Sequence, residues 1–340
     1  MMEYLLLANP GHNRVYLDAA QGAAAAELSR LLPRCGVEST QLCGQPALRL
    51  TCEQPLSEAE RNACARSSLF YALFEGAGEG LLRPVEVPVW QYLPDSLNTI
   101  LKYPGKTNEQ FTRMMVNLAQ CASDGLRETP TLLDPMCGQG TTLFEAAIRG
   151  WNAVGLEVQE QPVHKGATYF VKYLEAGRYK HKRSEEKRTQ GGKRIAQLVT
   201  VEYAAKKDDW YAENTRKVQF FRADSALCDQ LLPKNAADLL VCDLPYGVQH
   251  GASGGGSLQR NAAKIVREVA PGWWKALRPG AGVALAYNVL TTPRQHLADA
   301  MEAAGFTVLP QVEGSGASGG SVHPAGRSGG EKSEIIEYKL

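Results

Sequence analysis

Apolar and polar positions alternate along this chain with two different periods, and the switches between them mark out elements. Residues 4–8 form a short apolar run that predicts a strand. Residues 21–32 are rich in Ala and Leu and predict a helix closed by Pro33. Residues 37–43 and 47–52 predict two strands joined at Gly44-Gln45-Pro46. Ser57 followed by Glu60 is a capping box and starts a helix over 57–65. Residues 69–74 close the series as a strand. The order β-α-β-β-α-β predicts a small α+β, ferredoxin-like module over residues 1–76. Residues 77–100 carry several Gly and Pro and read as a linker, with Trp90 and Tyr92 covering apolar area.

Beyond the linker, residues 107–121 place Phe111, Met114, Met115, Leu118 and Ala119 on one helical face. The polar turn before it, 102–108, supplies Thr107 and Asn108 as cap residues. Strands are expected over 131–136, 152–158, 218–223, 237–242, 282–288, 306–312 and 334–340. Helices are expected over 141–148, 258–277 and 292–304, with a long polar helical region after residue 158. This alternation predicts an α/β domain over 101–340: a doubly wound, mostly parallel, Rossmann-like sheet with a basic insertion at about 177–215. Ligands of such sheets bind outside the carboxyl ends of the strands.

Composition narrows this picture in only a few ways. The 340 residues are 44% hydrophobic and 21% charged, ordinary for a globular chain. A net charge of +1 leaves any nucleic-acid contact to a local patch. The eight cysteines contain no C-x-x-C pair, which argues against structural zinc and a compact disulfide framework. No metal cluster stands out. The opening Met1-Met2-Glu3-Tyr4 lacks a basic flank, and the apolar run after it is too short for a signal peptide or a span. A reduced, cytoplasmic protein with no membrane partner is expected.

Chemistry concentrates at the strand ends. The first strand runs into Asp134-Pro135-Met136-Cys137-Gly138-Gln139-Gly140-Thr141. Gly138 and Gly140 allow a backbone loop to approach a ligand, and Thr141 opens a helix. A dinucleotide fingerprint would need a third glycine where Leu143 stands. An acid before the loop would repel pyrophosphate; it suits a cationic ligand such as a sulfonium or an ammonium. Glu157 ends the second strand, about 20 residues on, where an acid can accept from a ribose diol. Asp224-Ser225 follows the third strand, and Asp243-Leu244-Pro245-Tyr246 the fourth.

The two motifs, with the acids between them, resemble those of class I S-adenosylmethionine-dependent amino-methyltransferases, in particular the Trm11-type and THUMP-linked tRNA guanosine-N2 enzymes. The likeness runs from about residue 102 to 340. It implies S-adenosylmethionine bound by Asp134, Gly138, Gly140, Glu157 and Asp224, with Cys137, Thr141 and Ser225 in the same loops. It implies that Asp243, Leu244, Pro245 and Tyr246 form the catalytic motif, usually (D/N)-P-P-(Y/F). It also implies that the segment from residue 102 to 111 packs near the methionine moiety. Residues 1–76 carry no complete THUMP pattern.

The chemistry suits that motif. An exocyclic base amine is a weak nucleophile, because its lone pair is delocalised. Asp243 and the Leu244 carbonyl can accept its N–H bonds, and Tyr246 can stack on the base. Leu244 replaces the commoner Pro; it restores an N–H, is expected to loosen the turn, and tilts the target from DNA toward RNA guanosine. The alternatives are adenine N6 or cytosine N4 methylation on DNA or RNA, or a non-catalytic nucleic-acid-binding module. The basic run from Arg178 to Arg194 is the candidate RNA contact, tRNA above all. Of two Gly/Ser-rich loops, 251–257 follows the catalytic motif and 314–330 lies between the two closing strands. Cys137 reads as a packing residue against the cofactor.

Overall fold

The computed structural model describes residues 1–10, 14–87, 90–103, 105–245, 262–310 and 333–339. The chain opens with β1 (Met2–Ala8), α1 (Arg14–Leu31), β2 (Gly36–Leu42), β3 (Gln45–Cys52), α2 (Glu58–Arg66), β4 (Phe70–Gly76) and β5 (Leu82–Val85). These strands form one antiparallel sheet in the order β2-β3-β1-β4-β5. The first four stand in ferredoxin-like order. Tyr4, Leu6 and Ala8 point inward from β1, as a period of two requires, and join Ala24 and Leu28 of α1 in the core. The capping box is formed: the Glu60 N–H donates to Ser57 Oγ at 3.3 Å and the Ser57 N–H to Glu60 Oε2 at 2.8 Å.

Two features depart from the sequence reading. Cys35 and Cys52 are joined by a disulfide, their Cα atoms 4.6 Å apart. Without a local spacing signal, a pair 17 residues apart is visible only once β2 and β3 are paired in register. Second, the stretch after residue 76 is not a bare connection, because β5 adds a fifth strand beside β4.

The second part runs through α3 (Ser96–Thr99), α4 (Glu109–Ala122), β6 (Thr131–Asp134), α5 (Thr141–Ile148), β7 (Asn152–Glu157) and α6 (Glu160–Ala176). It continues with β8 (Lys180–Gln190), β9 (Lys193–Ala204), α7 (Lys207–Tyr211), β10 (Arg216–Arg222), α8 (Cys228–Leu231) and β11 (Ala237–Asp243). It closes with α9 (Ala262–Ala276), β12 (Leu277–Asn288), α10 (Arg294–Glu302), β13 (Thr307–Val308) and β14 (Ser333–Lys339). The sheet order is β13-β14-β12-β11-β6-β7-β10-β9-β8. The five central strands, β12 to β10 in that order, are parallel; β13, β14, β9 and β8 are antiparallel flanks. This is a Rossmann-like, doubly wound architecture.

The polar region after residue 158 is the main correction. A helix does form there, but it ends at Ala176 and a β8–β9 hairpin follows. The eleven residues of β8 include no aliphatic side chain, so no apolar period betrays the strand. Its partner carries the signal: Ala196, Leu198, Val201 and Tyr203 are buried while Gln197, Thr200 and Glu202 are not. Gly191 and Gly192 both adopt positive φ, 56° and 77°, the requirement of a tight two-residue hairpin turn.

A buried polar chain joins the two sheets. Glu27 of α1 accepts from the Ser68 N–H and from Asn117 of α4. Asn117 in turn accepts from Arg149 at 2.8 Å, and Arg149 donates to Glu145 at 3.0 Å. Arg113 bridges Glu145 and Asp95. The guanidinium groups of Arg113 and Arg149 lie 5.1 and 5.7 Å from the Trp90 ring centroid, and the Trp90 indole N–H donates to the Ala65 carbonyl. Trp90 is therefore an anchor between the two parts as well as apolar cover. Burial pushes the Glu27 carboxyl up, and burial lowers the Arg149 guanidinium to about 10.

Asp238 fixes the register of the central strands from their far end. Its fully buried carboxylate accepts from Arg127, from Arg278 at 2.7 Å and from the Thr131 N–H at 2.8 Å, tying β11 to β12 and to the start of β6. Burial pushes its pKa up, but these donors outweigh burial and leave it below the ordinary value. Asp238→Ala is expected to cost about 2 kcal/mol, since it removes the acceptor of the Thr131 strand N–H and of the partly buried Arg278 guanidinium. Urea unfolding at neutral pH measures this. The wild-type advantage is present above the ordinary carboxyl pKa and lost as pH falls through the lowered one.

Candidate functional site

The four strand-end acids come together on one rim. Asp134 ends β6, Glu157 ends β7, Asp243 ends β11, and Asp224 lies two residues past β10. Those strands are neighbours in the order β11-β6-β7-β10, so the four acids lie along one edge of the sheet, with Asp134 level with Gly155 and therefore two residues below Glu157. The chain direction of a parallel sheet puts all four at the same end.

The glycine loop lies between the first two. Gly138 and Gly140 adopt positive φ, 53° and 98°. The Cys137 N–H donates to the Leu156 carbonyl at 2.9 Å, and the Gly140 N–H to the Cys137 carbonyl at 2.8 Å. The loop sits on β7 at Gly155, where a Cβ would stand 2.5 Å from Cys137 Sγ. Cys137 thus packs beneath the loop, and burial pushes its thiol well above the ordinary range. Space beside Gly138 is open. Thr141 begins α5, and the Tyr103 hydroxyl lies 3.3 Å from Thr141 Oγ1.

Asp134 is buried within the rim. It is 3% exposed, and its Oδ1 accepts from the Met136 N–H at 3.0 Å. Burial raises its pKa from the ordinary 3.8 to about 7; bonds from Met136 and Thr142 oppose the rise, while the charges of Asp243 and Glu157 add to it. A buried acid poised near neutrality beside an open glycine loop suits a cationic group, which would draw it into the charged form. Glu157 accepts from the Gln159 N–H at 2.8 Å and Asp224 from the Ala226 N–H at 2.9 Å, so each carboxylate is oriented by the turn that follows it. Asp224 is exposed. Ser225 is engaged differently, because its hydroxyl accepts from the buried Trp273 indole at 3.0 Å.

Asp243 has a partner that the sequence did not reveal. Thr107, just before α4, donates its hydroxyl to Asp243 Oδ2 at 2.8 Å across 136 residues of chain. Asn108 caps α4 as expected, accepting from the Gln110 and Phe111 N–H groups. Lys106 is pinned by the Asn98 carbonyl and Glu109. The short segment holding Tyr103 and Thr107 therefore touches both the glycine-loop helix and the acid of the second motif. Leu244 does not loosen its turn. Its N–H donates to the Ala286 carbonyl at 2.9 Å, which extends the β11–β12 contact by a residue, and its side chain is buried. Pro245 is exposed on the rim. Tyr246 and the loops at 251–257 and 314–330 lie outside the described residues.

Residues 99–282, more than half of the chain, match the UPF0020 family model, described as an RMKL-like methyltransferase domain. Among solved structures the chain is similar to TrmN from Thermus thermophilus, at 13% identity and a TM-score of 0.46, covering 100% of this chain and 99% of that one. It is also similar to YcgJ from Bacillus subtilis, at 12% identity and a TM-score of 0.35, covering 60% and 71%. A TehB-like SAM-dependent methyltransferase from Corynebacterium glutamicum aligns at 11% identity and a TM-score of 0.34, covering 68% and 96%.

The state of Asp134 sets a pH dependence. Its folded pKa is above the unfolded one, so the folded chain holds the proton more tightly and loses stability as pH rises from the ordinary value to about 7. Asp134→Asn is expected to flatten that slope and to stabilise the ligand-free protein above pH 7 by up to about 4 kcal/mol. Urea denaturation across this pH range measures both.

Proposed function

The chain belongs to the RMKL-like methyltransferase domain family, with S-adenosylmethionine as methyl donor, and we propose that it methylates an exocyclic amine of a nucleobase in RNA, guanosine N2 of tRNA first of all. The observation that carries this reading is the adjacency of two strand ends: the acid and glycine loop after β6, and Asp243-Leu244-Pro245 after β11, one strand away. Bound at the glycine loop, S-adenosylmethionine supplies an electrophilic methyl group on a positively charged sulfur. Asp134 balances the cofactor's positive charge. Gly138 and Gly140 give the backbone room to close on it, Glu157 accepts from the ribose hydroxyls, and Asp224 accepts from the adenine amine. The fit rests on the open space at Gly138 and on a buried carboxyl that a bound cation would draw into its charged form.

On the substrate side, the Asp243 carboxylate and the Leu244 carbonyl accept the N–H bonds of the target amine and direct its lone pair at the methyl group. Thr107 holds Asp243 in one orientation for that task. Tyr246 is assigned the stacking role by its place in the motif. The N–H of Leu244, spent on β12, leaves its carbonyl as the group available to a base. Adenine N6 or cytosine N4 methylation is the second reading, since the same acceptor pair fits any planar amine. Residues 1–76 and 101–340 are read as two domains, with 77–100 joining them.

The basic run now lies on an exposed edge strand, where Lys180, Lys182, Lys187 and Arg188 can meet phosphates without disturbing a core. No helix among the described residues is long and apolar enough to cross a membrane, and the proposed setting is the cytoplasm.

Asp243→Ala should lower methyl transfer by about 100-fold or more while calorimetric S-adenosylmethionine affinity stays within about twofold. Loss of both with unfolding would make Asp243 structural. Nucleoside mass spectrometry of tRNA and rRNA from a deletion strain should show N2-methylguanosine missing; loss of an N6-methyladenine or N4-methylcytosine nucleoside would select the second reading. Replacing Lys180, Lys182, Lys187 and Arg188 with Ser should weaken RNA binding and flatten its salt dependence by about one unit of slope per lost phosphate contact. Unchanged affinity would remove the run from the RNA interface.

A further inference from the structure

We propose that β8 is a self-complementary edge through which two copies of this chain join their sheets by antiparallel β8–β8 pairing. β8 ends the nine-stranded sheet, and no strand lies beyond it among the described residues. It is eleven residues long, about twice an ordinary strand, and nearly all of it is exposed. A long open edge is a template for another strand, and proteins usually blunt such edges with lysines. Here the blunting is incomplete in a patterned way. The strand reads Lys180-His181-Lys182-Arg183-Ser184-Glu185-Glu186-Lys187-Arg188-Thr189-Gln190, with its two acids adjacent at the centre.

That pattern selects one register. With a two-fold axis at Ser184, Arg183 faces Glu185 of the second copy, and Lys182 faces Glu186 of the second copy. Symmetry doubles both, so four opposite-charge pairs form, two on each face of the joined sheet. Antiparallel pairing opposes edge-facing residues only to edge-facing residues, so the neighbouring registers move the axis to Arg183 or to Glu185; each sets that residue against itself and keeps at most two Lys/Arg–Glu pairs. In the favoured register the like-charged contact is Lys180 against Arg188, twice by symmetry and at the two ends of the paired segment. Within one chain Arg183 reaches Glu185 along the strand at 2.6 Å, and Glu185 also accepts from Gln197 of β9 at 3.3 Å; the Arg183 and Glu185 side chains are partly exposed. They can exchange partners at little cost.

The strength follows from the same observations. Surface ion pairs contribute about 0.2–1 kcal/mol each, and a single strand edge buries less than a standard interface. The association is therefore weak, reversible and sensitive to salt. It leaves Lys193 and Arg194 of both copies outside the paired strands, and it does not depend on the methyl-transfer reading.

Analytical ultracentrifugation of the full chain, from low micromolar to its solubility limit, should show a monomer–dimer equilibrium that shifts to monomer in high salt. The double variant Lys182→Glu, Arg183→Glu should weaken the dimer by about tenfold or more, with an unchanged circular dichroism spectrum. Adding Glu185→Arg and Glu186→Lys to that variant should restore it. A wild type that is monomeric throughout, a dimer indifferent to the double variant, or a fourfold variant that does not recover would each overturn the proposal.

Discussion

A buried carboxyl at the end of one parallel strand, and a second carboxyl at the end of the next, set the constraint on which the rest of this molecule depends. Asp134 can stay in the sheet's interior only because it gives up charge or meets a cation. Asp243 must stand beside it at a fixed height. That height is fixed from the opposite end of the sheet, where Asp238 binds the first N–H of β6 and the guanidinium of Arg278 in β12. A one-residue slip of β11 would turn Asp243 to the other face of the sheet. The clamp at the bottom and the chemistry at the top are thus one device, transmitted by rigid parallel pairing.

Around these acids, space is made by removing atoms. The glycine loop rests on β7 where a side chain cannot exist, and its own glycines take backbone angles that side chains resist. The segment through Tyr103 and Thr107 then closes on both motifs. This segment leads into α4, and α4 is the helix that meets α1 through Asn117 and Glu27. The N-terminal sheet is therefore tied by buried, fully partnered polar groups to the helix that delivers Thr107. Such a contact has a defined geometry, because a displaced partner would leave a buried charge unpaired.

Much of this was legible in the residue pattern, and the failures have physical causes. Strands with buried alternate residues, such as β1 and β3, and amphipathic α4 announced themselves by period. β8 did not, because an edge strand with no buried face has no period to show. The disulfide between Cys35 and Cys52, the bond from Thr107 to Asp243 and the bond from Trp273 to Ser225 join residues distant in sequence, and no local pattern encodes them. Leu244 was misjudged in its turn for a related reason: whether an added N–H loosens or tightens depends on whether a carbonyl stands opposite, and Ala286 does.

The sequence by itself determined the β-α-β-β-α-β opening, the strand–helix alternation after it and the acids at the strand ends. These follow from local propensity and from residue types whose chemistry is their own. Only the tertiary structure decided that the acids share one rim, that Asp134 is buried to the point of titrating near neutrality, and that the basic run is a strand edge. Adjacency, burial and free edges are properties of how strands are ordered in space, and strand order is set by packing between elements far apart in the chain.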